Sequence, residues 1–420
     1  MPASSRSAVT LISTLAPVLV LAAAYDAPRT FQAAELLTPA QVRGPHHTVA
    51  SAVKSEGYFH EFDITTDYGP LQAEGRSMLA TRLQEVGALA ELDKVSKSEV
   101  FLKSAGNSVL NVGKGAASAV KDPGATAKGV AGGVKRFGTN LGRKAKRAAD
   151  DAVDSAKKDD EQKKDAGAQP STADKAGGVA QSALGVNASA RKWAQKVGVD
   201  PYTTNPVLKK ALTDLGQIDA AGSLAAKVAV PIPKVVSSTA TVGNLVWSQD
   251  PEALLKGNEQ KLRELGAKPE AIKKLYKSEG FSLSLHTRLA TALRAVNVPG
   301  CADYVETAAE ADTEREALFF VESAEMLARF HKTDPVTALL SDSRAVVAKT
   351  KDARAVVLLP VDWVAWTQPY DKALAEVTQR SKTELKATGL ELRTTATFSP
   401  AAKQETAARG WKVVEKVPAS

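Results

Sequence analysis

Ala345-Val346-Val347 and Ala355-Val356-Val357-Leu358-Leu359, separated by the polar turn Lys351-Asp352, set the fold class of this chain. Short runs of valine and leucine bounded by turn residues read as strands. Working outward, Tyr370 to Ala387 has helical spacing and Leu390 to Thr397 is β-rich. Ser399-Pro400 opens a short helix that stops at Gly410, and Trp411 to Val417 closes with a strand. The order β-β-α-β-α-β over residues 341–420 predicts a C-terminal α+β module.

Upstream, residues 191–340 read as an all-helical middle domain. Its punctuation is consistent: Asn205-Pro206, Asp250-Pro251, Lys268-Pro269 and Asp334-Pro335. An Asx side chain can cap orphan N–H groups while proline occupies the first helical position, so each pair predicts a helix start. The runs that follow keep helical period, as in Leu254, Leu255, Leu262, Leu265 and Leu285, Leu289, Leu293, Val296. Ala317 to Phe330 is apolar around more than one face, which predicts a central buried helix.

Residues 48–112 read as a small α+β unit. Thr48 to Lys54 and Tyr58 to Thr66 are its strands, the second placing Phe62 and Ile64 inward. Asp67-Tyr68-Gly69-Pro70 is a turn, and a helix from about Gly75 puts Leu79, Leu83, Val86 and Ala90 on one face. Residues 25–47 are expected to be a leader. The first 24 residues carry one charge, Arg6, an apolar run from Leu11 to Leu21, and Ala22-Ala23-Ala24. That is the form of a secretory signal peptide, too short for the roughly 20 apolar residues of a spanning helix. An exported chain, periplasmic or extracellular and potentially bound at a membrane surface, is the expected location.

Charge is local. The formal net charge is +8, yet Lys114 to Arg147 holds nine cations against the single anion Asp122. The remainder is therefore close to neutral, and a local basic stripe implies an anionic partner more strongly than a high isoelectric point does. Val130, Val134, Phe137, Leu141, Ala145 and Ala148 fall within roughly 80° on a helical wheel. Lys128, Lys135, Arg136, Arg143, Lys146 and Arg147 fall opposite, as in a basic helix lying on a membrane. Gly129, Gly132, Gly133, Gly138 and Gly142 weaken that helix, each by about 0.8–1 kcal/mol. The competing expectation for residues 113–190 is a flexible basic Gly/Ala-rich segment followed by a disordered linker, given the mixed charges of Asp150 to Asp165.

Chemistry is sparse. Cys301 is the only cysteine, so no disulfide forms within the chain. His46, His47, His60, His286 and His331 show no zinc spacing, and no metal or cofactor is expected. No phosphate-binding loop or nucleophile elbow occurs. Carboxylates gather between Asp303 and Glu325, and pairs such as Glu306/Glu310 and Glu322/Glu325 share helix faces on this reading, as acid–base pairs do. Trp363, Trp366 and Tyr370 are a candidate ligand pocket, because aromatic faces beside polar groups suit glycan-like ligands. Nucleic acid is disfavoured, since no aromatics interleave the basic residues.

These features predict an α-rich α+β protein: a small N-terminal hairpin/helix unit, a flexible basic linker, a helical middle and a C-terminal α+β module. The expected function is that of an exported cell-envelope protein, non-enzymatic, binding lipid head groups or a cell-wall polymer through the basic segment. The alternatives are an exported hydrolase and a helical scaffold whose middle domain docks a protein partner.

Overall fold

The computed structural model describes residues 24–55, 57–98, 186–219 and 240–418, with the side chains of 240–243 left aside. The chain is mixed α+β, with an antiparallel sheet first, helices in the middle and a second sheet last.

The first sheet begins at β1 (Arg29–Gln32), followed by the short helices α1 (Ala33–Leu36) and α2 (Pro39–Val42). Then come β2 (Arg43–Gly44), β3 (His47–Val49), β4 (Ala52–Ser55), β5 (His60–Thr66) and β6 (Leu71–Glu74). The order is β1-β4-β5-β3-β2, with β6 also on β5, and every pairing is antiparallel. The sheet thus starts inside residues 25–47, the stretch expected as a leader. Phe31 carries the only strong apolar signal of β1, set opposite Val53. One face buries Phe31, Val49, Val53, Phe62 and Ile64. His60 points the same way, as period-two alternation along β5 requires.

α3 (Arg76–Ser96) leaves this sheet through Gly75, whose φ is +93°. A Cβ there would stand 3.0 Å from an Arg315 nitrogen and 3.2 Å from the Phe59 ring, so glycine is required twice over. Asp362, far along the chain, closes the junction. Its carboxylate accepts from the backbone N–H of His60 (3.1 Å) and of Arg76 (3.1 Å), the first residue of α3. A carboxylate at a helix N-terminus satisfies orphan donors and opposes the helix dipole. Arg315 lies over the Phe59 ring at 4.2 Å and donates to the Glu74 carbonyl, Ser77 Oγ and Glu322.

The middle comprises α4 (Ala188–Val197), α5 (Pro206–Ile218), α6 (Ala240–Ser248), α7 (Pro251–Glu264), α8 (Pro269–Lys277), α9 (Leu283–Val296), α10 (Cys301–Ala308) and α11 (Glu314–Thr333). Asn205 accepts from the N–H groups of Val207 and Leu208, and Asp250 from that of Ala253, with proline next in each case. Asp334-Pro335 departs from the expected pattern. Asp334 ends α11, and Val336–Leu339 form the strand β7. The residues after Pro335 favour a strand, and the Asp334 carboxylate is taken by Arg354 at 2.6 Å instead of capping a helix. The helical region therefore stops at Thr333. α11 buries Ala317, Phe319, Phe320, Val321, Ala324 and Leu327 completely, as the sequence predicts for a central helix.

β8 (Val346–Thr350), β9 (Arg354–Leu359), β11 (Gly389–Thr394) and β13 (Trp411–Val414) complete the second sheet, ordered β13-β11-β9-β8-β7. β9, β11 and β13 are parallel, linked by α12 (Gln368–Thr383) and α13 (Pro400–Ala408), and β7, β8 and β9 are antiparallel. Central β9 is buried on both faces, which explains its unbroken apolar run. β10 (Trp363–Val364) pairs in parallel with β12 (Thr397–Phe398).

One apolar core joins both sheets and helices α7 to α11. A second unites the C-terminal half of α3 (Leu89, Leu92, Val95) with Trp193, Ala194 and Val197 of α4 and Leu208, Leu212 and Leu215 of α5. α4 and α5 approach closely at Gly216, where a Cβ would meet the Ala190 nitrogen at 2.8 Å. Among the described residues no helix is long and apolar enough to cross a membrane.

Candidate functional site

A cavity of about 180 Å³ opens where α3, the 198–204 loop, α6, α9 and α11 meet. α3 presents Met78, Thr81 and Glu85 to it, at the three- and four-residue spacing of one helix face. α9 adds Ser284 and Arg288 from its first two turns, α11 adds Glu314 at its start, and Trp247 also lines the cavity. The indole is fixed by its Nε1–H, which donates to the Val199 carbonyl at 2.9 Å.

The lining is dominated by paired charges. Arg82, beside the cavity, spans Glu85 (3.0 Å) and Glu314 (2.5 Å). Thr204 donates to Glu314 at 2.7 Å, while Thr203 and Asn205 donate to Glu85. Arg288 grips Glu325 through Nε and Nη2, both at 2.9 Å. Such fork-to-carboxylate pairs are strong and geometrically rigid. Asp200 differs. Its Oδ1 accepts from the Tyr202 N–H (2.8 Å) and from Ser284 Oγ (2.5 Å), and no cation lies within ion-pair distance among the described residues. Burial raises the Asp200 carboxyl above its ordinary value, opposed by the Ser284 and Tyr202 hydrogen bonds. Tyr202 lines the same cavity, and its buried hydroxyl has no hydrogen-bond partner.

The residues singled out by sequence are distributed otherwise. Lys128, Lys135, Arg136, Arg143, Lys146 and Arg147 lie outside the described residues, as does nearly all of residues 1–24. Trp366 and Tyr370 are buried edge to face, centroids 5.9 Å apart. The Tyr370 hydroxyl shares a hydrogen bond with Thr406 at 2.8 Å, and the Arg409 guanidinium covers the Trp366 ring at 4.7 Å. Trp363 packs instead on Phe31 of the first sheet, at 5.3 Å. None of the three lines the cavity.

The acidic stretch resolves into separate ion pairs. Glu306 and Glu310 face Lys268 (3.1 Å) and Lys274 (4.0 Å) near α8, Glu316 pairs with Arg344 (3.4 Å), and Glu322 with Arg315 (2.9 Å). Glu310 lies beyond the end of α10, and Glu322 and Glu325 hold different arginines, so neither expected pair forms an acid–base couple. His46 pairs with Asp67 at 2.8 Å, and His286 is buried against the Leu275 carbonyl at 3.1 Å. Among the described residues no three His, Cys, Asp or Glu side chains gather where they would hold a metal ion.

Sequence reasoning passed over Asp200, Glu85 and Asp362. A signal existed for the first: Val199-Asp200-Pro201 has the same Asx-Pro form as Asn205-Pro206 and Asp250-Pro251. Compared with family models, curated proteins and solved structures, the chain matches none of them.

Proposed function

We propose that this chain is an exported, non-enzymatic envelope protein that attaches to a phosphate-bearing anionic surface through Lys114–Arg147 and holds its folded α+β body there. The observation carrying this reading is the concentration of nine cations and one anion in that segment, against a nearly neutral remainder. Placement supports it. The segment lies between α3 and α4, whose ends pack in one apolar cluster around Leu92, Val95, Trp193 and Val197. α3 and α4, the described helices that flank the segment in sequence, thus meet in one region of the body. Each Lys or Arg near an anionic leaflet contributes about 1 kcal/mol, so six of them suffice for attachment.

Co-sedimentation of the chain with anionic and neutral vesicles, at low and high salt, tests the reading. Binding is expected on anionic vesicles only, falling with salt, and lost when Lys128, Lys135, Arg136, Arg143, Lys146 and Arg147 are all changed to Gln. A parallel sample with an anionic cell-wall polymer separates the two sources of phosphate. Failure to bind either anionic material, or equal binding by the sixfold variant, would overturn the proposal.

A further inference from the structure

The junction between β6 and α3 sets two carboxylates against each other. Register places Glu61 of β5 opposite Glu74, the last residue of β6. Residues so placed on an antiparallel pair have Cβ atoms about 4.5–5.5 Å apart, and like charges there repel. Period-two alternation turns both away from the face that buries Phe62 and Ala73. Both are half-buried, so water screens their repulsion only in part. The Glu74 carboxylate takes no hydrogen bond and no ion pair from the described residues. Arg315 of α11 is committed elsewhere, to the Glu74 carbonyl (3.3 Å), Ser77 Oγ (3.2 Å) and Glu322 (2.9 Å). Glu316 of α11 adds a further negative charge, and Lys54 of β4 lies beyond Glu61 in the same cross-strand row. Gly75 follows at once. Its N–H donates to the His60 carbonyl at 2.8 Å before Arg76 opens α3, so a push on the end of β6 acts directly on this bond.

We propose that the Glu61–Glu74 pair is a proton-operated latch on this hinge. With Glu74 protonated, the end of β6 and the first turn of α3 stay seated on β5; with both carboxylates ionised, they loosen. Burial first, and Glu61 second, push the Glu74 carboxyl up to about 7, with Arg315 opposing the rise and Glu316 adding to it. The folded protein therefore binds more protons than the unfolded chain between the ordinary 4.5 and about 7. Stability from Glu74 is complete below pH 4.5 and is lost as pH rises through about 7. His60, next to Glu61 in sequence, has the opposite sign, so the acidic and alkaline responses of the hinge are separable. The latch rests on the first sheet and α11 alone and stands apart from surface attachment.

Hydrogen exchange of the full-length chain at pH 6 and pH 8, corrected for intrinsic rates, tests the latch. Opening that frees Glu74 should become about tenfold more favourable over that range, read at the amides of Gly75, Arg76 and Leu79. Glu74→Gln should remove most of the change, whereas Glu35→Gln, at an exposed position of α1, should keep it. Carbon-13 titration of the Glu74 carboxyl should give a midpoint near 7, moved down in Glu61→Gln. Should Glu74→Gln not fold, this titration of the unaltered chain decides the matter. A Glu74 midpoint in the ordinary carboxylate range, a midpoint unmoved by Glu61→Gln, no loosening between pH 6 and pH 8, or equal loosening in Glu74→Gln would each overturn the proposal.

Discussion

Asp362 and His60 meet at one point although 302 residues separate them. The Asp362 carboxylate takes backbone N–H groups from β5 and from the first turn of α3, so removing it strands a buried donor in one element and a part-buried donor in the other. Asp362→Ala should lower unfolding free energy by about 1–3 kcal/mol per donor left bare, read from the urea midpoint, with Asp362→Asn losing less. His60 turns its ring between Phe31 and Phe62, at 4.9 and 6.1 Å, and its Nδ1 is buried without a partner. Burial first, and Arg76 second, lower its pKa to about 4 from the ordinary 6.5. The folded protein then binds fewer protons than the unfolded chain between pH 6.5 and 4. Stability from this group is complete above pH 6.5 and is lost as pH falls through about 4. Replacing His60 with Phe preserves the ring packing, so the variant should lose less melting temperature between neutral pH and pH 5 than the unaltered chain. An identical acid profile would show that His60 is not the sensitive group.

At the scale of elements, α5 shows how one residue can serve both a helix end and a charged network. Asn205 accepts from the first N–H groups of α5 through Oδ1, while its Nδ2 donates to Glu85 on α3 at 3.1 Å. Asn205→Ala should cost about 1–2 kcal/mol through the lost cap alone. Asn205→Asp keeps the cap but sets a second carboxylate against Glu85, so it too should lower the urea midpoint at neutral pH and recover part of the loss on mild acidification. An Asn205→Asp variant more stable than the parent at neutral pH would contradict the network. The Asn-Pro cap was legible in the sequence because capping is local, as were β9, the C-terminal β-α-β-α-β order and the buried face of α11. Asp334-Pro335 misled for the same local reason, since its fate depends on Arg354 across β7 and β9. The cavity was largely illegible. Arg82 and Glu314 are 232 residues apart, Thr203 and Glu85 are 118 apart, and no spacing rule reaches that far. Trp366 and Tyr370 have the composition of a pocket, but the Tyr370 hydroxyl is spent on Thr406 and the Trp366 backbone N–H donates to the Asp26 carboxylate.

For the whole molecule, the proposed attachment separates a body with shared cores from a basic segment that follows α3 and precedes α4 in sequence. The division has a thermodynamic consequence. Both cores are built from apolar side chains of the described residues, so on the proposed reading neutralising the six cations should leave the melting temperature of the free protein within about a degree or two of the parent. The most direct measurement is hydrogen exchange on the full chain with and without anionic vesicles. Slowed exchange confined to peptides from residues 114–147, with 24–98 and 186–418 unchanged, is the predicted result. Slowing located on the body instead, or none anywhere under conditions where the chain sediments with the vesicles, would contradict attachment through the basic segment.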